Sequence, residues 1–508
     1  NVRGSNCLKV RRNPRKIHSK EEVRTSMPSA IEYVPATNPD RNNFASTVQE
    51  ERTARRKAYL TAVDYYTGKH DQALETDPDE PDDNTRINLV RMTADRTISF
   101  LFPEVPKFVI DTGSVEETAP ETFIRQFFEH NGGLKTLYKV GLRSFLSGHG
   151  FVRVKPVPEA KRDTQKFPKF ISLDPTSVTV FWKADDTGEI VWYEMRYYVG
   201  KIAYIRDFVN KDTHWEIYTY KAEAAHNDVD KVLNAPTPHG SPPLWLDMIG
   251  FAEGSFVQEG KMVTHTSTIP PIIDFAHLPH PNDFYGLSDF TEKDLQDTVN
   301  VIASLRNRIV REHSEPVDVV TGADADEVHG SGSFMTIENA AARVHRMEMK
   351  GNMSGVTEVL DKLIETYLAI ARVVLLKGEA KDLQRVTNAA VRTLFLDAIS
   401  KNVLLQASYG AALALVARLV LQMGYETGHV KENPVDVDIK VQFGSALPTD
   451  MTEIANINAL ALNAGYMSLQ AAAASLNLNW KEQQEAIKGE FEWKQQFAPE
   501  EETNDLTE

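Results

Sequence analysis

Two long amphipathic helices that enclose a short β-rich segment are the feature that most constrains this chain. The first helical pattern begins at residue 284 and ends at Pro316, and the second runs from Ser354 to Leu376. Apolar residues recur every three to five positions in both, as the buried face of a helix requires. At about 1.5 Å per residue the first helix would be roughly 45 Å long. Such a rod cannot bury its faces alone, so neighbouring copies of the chain are expected to cover them.

A compact insert connects these two helices. It is rich in β-branched residues and is interrupted by Gly322, Gly330 and Gly332, a composition that favours short strands joined by turns. Together, the helices and the insert predict a rod with a small head.

Residues 151–275 carry the alternating pattern of β-strands. Seven β-branched and aromatic segments are separated by turn signals such as Asp174-Pro175 and Asn210-Lys211-Asp212. They predict a mostly antiparallel β region of about 125 residues. Its aromatic residues could stack on bases, but their alternation favours a sheet core. These residues are Trp182, Trp192, Tyr193, Tyr197, Tyr198, Tyr204, Trp215, Tyr218 and Tyr220.

Helical patterns precede the β region. Residues 46–68 predict an amphipathic helix that ends at Gly68, and Asn84 is the predicted N-cap of a second helix that ends before Pro103. Two further helices are predicted to meet at the Gly132-Gly133 pair.

The longest apolar helix is predicted over residues 391–425. Its second half, Val403–Met423, contains Arg418 as its only charged residue and approaches the length of a membrane span. Gln406, Gln422 and Arg418 would be costly in lipid. This pattern favours a helix buried in protein, and a membrane helix is the alternative.

Charge is unevenly distributed along the chain. Lys and Arg number 56 and Asp and Glu number 72, for a net charge of −16, which argues against a surface that wraps nucleic acid. Residues 71–83 hold seven acidic residues and no basic one, which predicts a solvated loop. The first 24 residues are basic and lack the apolar core of a secretory signal. They predict a solvated arm, with binding to nucleic acid or to an acidic partner as the alternative.

Catalytic and metal-binding motifs are missing from the sequence. The single cysteine, Cys7, excludes a disulfide scaffold and a cysteine-based zinc site. The chain has no GxxxxGK[ST] and no HExxH motif, and HGSGSF at residues 329–334 lacks the frame of a nucleophile elbow. We therefore predict no catalytic residue, no metal site, no cofactor and no enzymatic activity.

Several segments, in order along the chain, resemble the portal proteins of tailed bacteriophages. HPNDFYGLSDF and the long helix after it resemble the start of the portal stem, and KDLQRVTNAAVRTLFLDAISKN resembles the tunnel loop and the helix that follows it. DIKVQFGSALPTDMTEIANINALALNAGYMS is similar to the family's ending, where a strand is followed by Pro-x-Asp and a helix. Each motif alone is loose, but their ordered occurrence over residues 50–495 is specific.

The resemblance implies an α+β portal fold, in which a mainly helical wing with a β subdomain carries two stem helices that bracket a small α/β clip, followed by a long wing helix and a helical crown. The implied segments are 1–24 for a basic N-terminal arm, 25–283 for the wing, 284–317 for the first stem helix, 318–351 for the clip, 352–376 for the second stem helix, 377–390 for the tunnel loop, 391–447 for the long wing helix and a strand, and 448–508 for the crown and acidic tail.

The same resemblance implies a function and partners. Portal proteins form homo-oligomeric rings, here expected to be a dodecamer, at one vertex of the capsid. Terminase packages double-stranded DNA through the ring, the DNA is later ejected through it, and adaptor (head-completion) and tail proteins dock on it. The major capsid protein is a further expected partner, and a membrane is not. The expected location is the virion, with assembly in the host cytoplasm.

Three groups of residues are expected to serve the portal function. The residues expected to face DNA in the tunnel loop are Lys377, Lys381 and Arg385, for which an ordinary exposed loop is the alternative. Those expected to pack the stem are Leu305, Ile309, Leu360 and Leu363. Those expected in the clip, where the motor and the adaptor dock, are Val319, Phe334, Ile337, Val344 and Met347.

Two other functions are alternatives to a portal. A virion-associated enzyme of nucleic-acid processing would need a nucleotide or metal site, for which the sequence carries no motif. A membrane-anchored assembly protein rests only on the apolar run Val403–Met423.

Overall fold

The computed structural model combines helices with mostly antiparallel sheets, as the sequence predicts. It describes residues 32–33, 41–71, 73–75, 82–110, 117–162, 164–183, 189–199, 202–223, 257–265, 267–280, 284–290, 292–314, 317–321, 328–329, 336–337, 343–347, 353–374, 392–431, 437–445, 447, 451–476 and 483–489. The basic N-terminal arm, the predicted tunnel loop and the acidic tail therefore lie outside the described residues.

The helices in chain order are α1 (Arg41–Tyr66), α2 (Leu89–Leu101), α3 (Ala119–His130), α4 (Leu134–Ser147), α5 (Lys293–Ser314), α6 (Met353–Ile370), α7 (Leu396–Glu426), α8 (Met451–Asn463) and α9 (Leu469–Ser475). The strands are β1 (Glu32–Tyr33), β2 (Lys107–Ile110), β3 (His149–Lys155), β4 (Lys169–Leu173), β5 (Val178–Lys183), β6 (Ile190–Val199), β7 (Ile202–Asn210), β8 (Trp215–Glu223), β9 (Val257–Gln258), β10 (Val263–His265), β11 (Ile272–Ala276), β12 (Val317–Thr321), β13 (Val328–His329), β14 (Thr336–Ile337), β15 (Arg343–Met347) and β16 (Ile439–Gln442).

The strands predicted between residues 151 and 275 form two sheets. The larger has the order β1-β5-β6-β7-β8-β10, with β9 on β8, and the smaller has the order β11-β3-β4. Their facing sides enclose a core that includes Tyr193, Phe208 and Trp215. The prediction that the aromatic residues build a sheet core is confirmed for those that are less than 10% exposed, namely Trp182, Trp192, Tyr193, Trp215 and Tyr220.

A second core joins the N-terminal helices to α7. Phe127 and Phe128 of α3 and Phe145 of α4 are almost fully buried in it. Gly133 separates α3 from α4 at a φ of +51°, so the helices join at the predicted glycine pair. This core is continuous with the smaller sheet through Val152.

Helix α7 is the centre of this second core. Leu405, Tyr409, Leu413 and Val416 have no exposed surface. Within the described ranges, α7 is the one helix long and apolar enough to cross a membrane, and 44% of its most apolar window is buried in protein. The expectation of a helix packed in protein is thus confirmed for its inner face.

The start of α2 differs from the prediction. Its N-cap is Asn88, whose side chain accepts a hydrogen bond from the Arg91 amide, and not Asn84. The chain before Asn88 is extended because side chains of α5 hold its backbone, as described below. Asn84 instead bonds the backbone of Leu74, through 2.8 and 3.0 Å contacts.

Helix α5 begins later than predicted. The chain from residue 284 to 290 is not helical, because its backbone pairs elsewhere: the Leu287 amide donates to the Leu278 carbonyl at 2.7 Å, and the Ser288 hydroxyl donates to the Phe145 carbonyl at 2.8 Å. The 22 residues of α5 span about 33 Å, so the helix is shorter than the roughly 45 Å expected.

Helix α6 ends at Ile370, earlier than the predicted Leu376. Arg372 adopts a left-handed conformation, with a φ of +55°, and the Val373 amide bonds back to the Leu368 carbonyl. This geometry closes the last turn of a helix.

The acidic segment 71–83 forms ion pairs with α5 at both of its ends. The Asp83 side chain is only 8% exposed, against the prediction of a solvated loop, whereas the Asp71 side chain is 72% exposed, in agreement with it. Asp83 pairs with Arg308 and Arg311 at 3.4 and 2.7 Å, and Asp71 pairs with Lys293 at 3.0 Å. Hydrogen bonds from Arg311 lower the pKa of the Asp83 carboxyl. Basic residues more than 200 positions away therefore compensate the charges of Asp71 and Asp83.

Candidate functional site

The two helices predicted as stem helices pack on each other and on α2. Leu360 and Tyr367 of α6 are about 5% exposed and contact Val299 and Ala303 of α5, together with Leu89. The predicted stem residue Leu363 packs partly buried against this cluster.

The other two predicted stem residues lie further along α5. Leu305 and Ile309 are half-buried. They therefore keep apolar surface available on the part of the helix that approaches the β insert.

A row of polar side chains on α5 was missed by the sequence reasoning. Gln296, Asn300 and Ser304 are at most 1% exposed, and their spacing of four residues places them on one face of the helix. They hold the extended chain before α2: Gln296 bonds the backbone of Leu89 and Ile87, Asn300 accepts from the Ile87 amide, and Ser304 accepts from the Thr85 amide. The sequence signal that could have identified these residues is a row of uncharged polar side chains, spaced four apart, within an amphipathic helix.

A buried ionic network joins α7 to the segment before α5. Asp289 accepts from Lys401 at 2.6 Å and contacts His277 at 2.9 Å. The second ring nitrogen of His277 lies 3.1 Å from the Tyr409 hydroxyl. Lys401 also donates to the Ala371 carbonyl at 3.0 Å, so one ammonium ties α7 to the end of α6.

The charges in this network set the ionisation of its carboxylate. Burial alone would raise the pKa of Asp289, but the neighbouring His277 and Lys401 outweigh burial and lower it. Because the pKa is lowered, the carboxylate is ionised and compensates the buried lysine. Sequence reasoning could not identify this network, since His277 and Asp289 are more than 100 positions from their partners Tyr409 and Lys401 on α7.

A cavity of about 490 Å³ lies beside this network, between α2, the end of α6 and the start of α7. Phe100 and Phe395 stack across it with ring centroids 5.8 Å apart, and Arg96, Arg372 and Lys401 also line it. In the sequence, the predicted tunnel-loop residues follow α6 and precede α7. Lys377, Lys381 and Arg385 are themselves outside the described residues.

The predicted clip consists of paired strands in the part that is described. β12 pairs with β15 antiparallel, with Val319 opposite His345 and Val317 opposite Met347. β13 pairs with β14, with Val328 opposite Ile337. Val344 lies on β15, opposite Val320, whereas Phe334 lies outside the described residues.

The outer face of α7 carries a second apolar stripe. Leu396, Val403, Leu404 and Leu415 are 59%, 60%, 45% and 37% exposed. Their spacing places them along one side of the helix, away from the buried Leu405. The helix is therefore apolar on two sides, of which the described part of the chain covers only one.

Metal-ligating clusters are missing from the described ranges: no group of three or more histidine, cysteine or acidic side chains is placed to hold an ion.

Comparison with solved structures finds similar chains in gene transfer agent (GTA) particles. A chain of the virion of the native particle is 12% identical, with a TM-score of 0.43, over 83% of this chain and 93% of that chain. A chain from the neck of the native particle, computed with C12 symmetry, is 13% identical, with a TM-score of 0.41, over 77% and 89%. A chain from the neck of the empty particle, computed with C6 symmetry, is 14% identical, with a TM-score of 0.42, over 77% and 90%.

No curated protein matches the sequence. A protein-family model does match, with the description "Phage portal protein, SPP1 Gp6-like", over residues 45–496. The match spans the N-terminal helices, both sheets, the α5–α6 pair, α7 and the C-terminal helices. The chain therefore belongs to the SPP1 Gp6-like family of phage portal proteins, which are structural components of the virion and not enzymes.

Proposed function

We propose that this protein assembles into a ring at one capsid vertex and forms the channel through which double-stranded DNA is packaged by terminase and later ejected. The observation that carries the proposal is the family match over residues 45–496. Adaptor and tail proteins would dock on the finished ring, and the major capsid protein would surround it.

The two-sided apolar character of α7 supports assembly. Leu396, Val403 and Leu404 expose large side chains, and contiguous exposed apolar surface is typical of a protein–protein interface. A second copy of the chain is the occupant we propose, because rings repeat one interface between identical subunits.

The charge distribution supports a channel that holds DNA weakly. Each phosphate that a protein neutralises adds salt-dependent affinity, and tight binding would stop the DNA from sliding. A net charge of −16 suits a wall with few basic residues. Lys377, Lys381 and Arg385 are proposed as the basic residues that do meet the DNA.

The β insert between α5 and α6 is proposed as the docking surface for terminase and adaptor. It connects α5 to α6, and its paired strands β12 and β15 carry Val319, Val344 and Met347. Phe334 and Ile337 are proposed to contribute to the same surface.

Native mass measurement of the purified protein tests assembly. We expect a ring, and Leu305→Asp and Ile309→Asp should each weaken it while leaving the fold intact, because an unpaired charge would be placed in the subunit contact. Leu305→Met and Ile309→Val, which keep the surface apolar, are the matched controls. A wild-type chain that stays monomeric at high concentration would contradict the proposal, and wild-type rings from both Asp variants would contradict the stem assignment.

Packaging measurements test the tunnel loop. Lys377→Ala, Lys381→Ala and Arg385→Ala together should change the amount of DNA retained, without a change in ring mass. Unchanged packaging would remove these residues from the channel and leave the ring proposal standing.

A further inference from the structure

A basic groove lies between the two sheets, at the edge of the β region. Its volume is about 540 Å³, and Arg153 and Lys155 of β3 line it together with Arg206 of β7. Lys169 of β4 lies directly opposite Lys155 in the strand register. Three of these cations line the groove, and Lys169 lies beside Lys155 on the same face of the smaller sheet. A further lining residue, Arg196, is paired with Glu194.

These cations repel one another. Lysines directly opposite each other on adjacent strands destabilise a sheet. Burial, and then the charge of Arg206, lowers the pKa of Arg153 to about 10. Burial, followed by Arg153, Arg206 and Lys169, also lowers the pKa of Lys155. The fold thus carries an electrostatic cost at this group of cations.

No carboxylate in the described part of the chain forms an ion pair with this group. The acidic residue of the lining, Asp174, is engaged with the backbone amide and hydroxyl of Thr176 at 2.9 and 2.7 Å. An uncompensated basic cluster is unexpected on a chain with a net charge of −16. It points to an anion that is supplied from outside the chain.

Both guanidinium groups are held in place before any ligand arrives. Arg206 donates from Nε to the Thr219 hydroxyl at 3.1 Å and lies 5.5 Å from the centre of the Tyr197 ring. Arg153 lies 5.2 Å from the centre of the Phe208 ring, and its buried Nε has no hydrogen-bond partner. Fixed guanidinium groups lose little entropy when they bind, and their planar geometry suits phosphate.

The arrangement favours a linear polyanion over a small ion. A phosphate group carries about two negative charges near pH 7, too few to balance the four cations of this surface. A phosphodiester backbone carries its charges on the main chain, whereas an acidic peptide must immobilise flexible side chains to present them. From this geometry we propose that the groove binds the phosphate backbone of nucleic acid, at a site separate from the ring channel proposed above.

Fluorescence anisotropy with labelled single-stranded and double-stranded oligonucleotides tests the site. We expect Lys155→Ala/Lys169→Ala to weaken binding about tenfold at low salt. If four phosphates of a single strand are contacted, raising salt from about 50 to about 200 mM should weaken wild-type binding about 50-fold and the double variant about sevenfold. The double variant should also unfold at a higher temperature than the wild type without DNA, because an opposed pair of like charges is gone.

Matched variants keep the test specific. Lys135→Ala/Lys139→Ala removes two exposed lysines from α4 and should leave binding unchanged. The triple tunnel-loop variant separates this site from the channel, and ring mass reports on the channel proposal independently. Binding that is lost in the tunnel-loop variant but retained in Lys155→Ala/Lys169→Ala would overturn the inference, as would poly-glutamate binding the groove while both oligonucleotides fail to bind.

Discussion

At the scale of single residues, two close backbone approaches decide where α5 can begin. Gly148 has a φ of +81°, and a Cβ there would lie 2.0 Å from the Gly286 carbonyl oxygen. A Cβ on Gly286 would lie 2.5 Å from the Gly148 carbonyl oxygen. The two glycines let residues 284–290 pack against the end of α4, which keeps them out of the helix.

This contact makes a prediction about stability. Gly148→Ala and Gly286→Ala should each lower the free energy of unfolding by at least about 3 kcal/mol, because the backbone must move to admit the methyl group. Gly260 has a φ of +75° but open space around it, so Gly260→Ala should cost only about 1 kcal/mol of backbone strain. Urea unfolding checks this order, and equal costs at all three positions would contradict it.

The buried network of Asp289, Lys401 and His277 makes a second prediction. Asp289→Asn should cost about 3 kcal/mol, because Lys401 would remain buried without a counter-charge. Asp289→Asn/Lys401→Met should recover part of this loss, which a double-mutant cycle measures. A double variant as unstable as the sum of the single variants would show that the two groups are not coupled.

The network also makes the free energy of unfolding depend on pH. The pKa of Asp289 is lower in the folded chain than its usual value, so its contribution to stability is present above about pH 4 and is lost as the pH falls through the folded value. The free energy of unfolding should therefore fall more steeply below about pH 4 in the wild type than in Asp289→Asn. If the free energies of unfolding of the two proteins fell in parallel below about pH 4, Asp289 would not be the source of this pH dependence.

At the scale of elements, the backbone before α2 forms hydrogen bonds with the polar row on α5, where a helix or a sheet would use backbone partners. Asn300 accepts from the Ile87 amide at 3.0 Å and its amide group lies 2.8 Å from a ring nitrogen of His70. This is why α2 begins at Leu89 and not after Asn84. Side chains of the distant helix α5 make the hydrogen bonds of this backbone. Asn84 therefore does not cap the helix, although its local sequence predicts that it would.

Replacing Asn300 tests whether the polar row holds the chain before α2. Asn300→Leu should cost about 2–3 kcal/mol, because the Ile87 amide would be buried without an acceptor. Thr298 is exposed on the same helix, and Thr298→Leu should change stability by less than about 0.5 kcal/mol. Thermal unfolding of the two variants compares them, and a neutral Asn300→Leu would be inconsistent with a role in holding this segment.

At the scale of the whole molecule, α7 links the fold to the proposed ring. Its inner side builds the core through Leu405, which has no exposed surface, while Val403 and Leu404 expose 60% and 45% of theirs. Three consecutive residues thus divide between the core and the proposed subunit contact.

Glutamate substitutions separate the two roles. Val403→Glu/Leu404→Glu should give a folded protein that no longer forms rings, since a charge would be placed in the subunit contact. Leu405→Glu should unfold the chain or lower its thermal midpoint sharply, because the charge would be buried unpaired. Native mass and circular dichroism distinguish these outcomes, and intact rings from the first variant would show that this stripe is not the interface.

The sequence alone determined the order and type of most elements. Alternation identified the seven main strands of the β region, and apolar periodicity identified α1, the α3–α4 pair, the helices on either side of the insert, and α7. These signals are local, because the period of a buried face is written in consecutive residues. The ordered motifs also pointed to the portal family, to which the chain belongs.

Only the tertiary structure decided where the elements end and which charges are paired. The start of α2 depends on Asn300, the start of α5 on Gly148, and the attachment of the acidic segment on Arg311. The groove lined by Arg153, Lys155 and Arg206 likewise exists only where two sheets meet. Each of these features joins residues that are distant in the chain, and the free energy of such contacts depends on distances that no local pattern encodes.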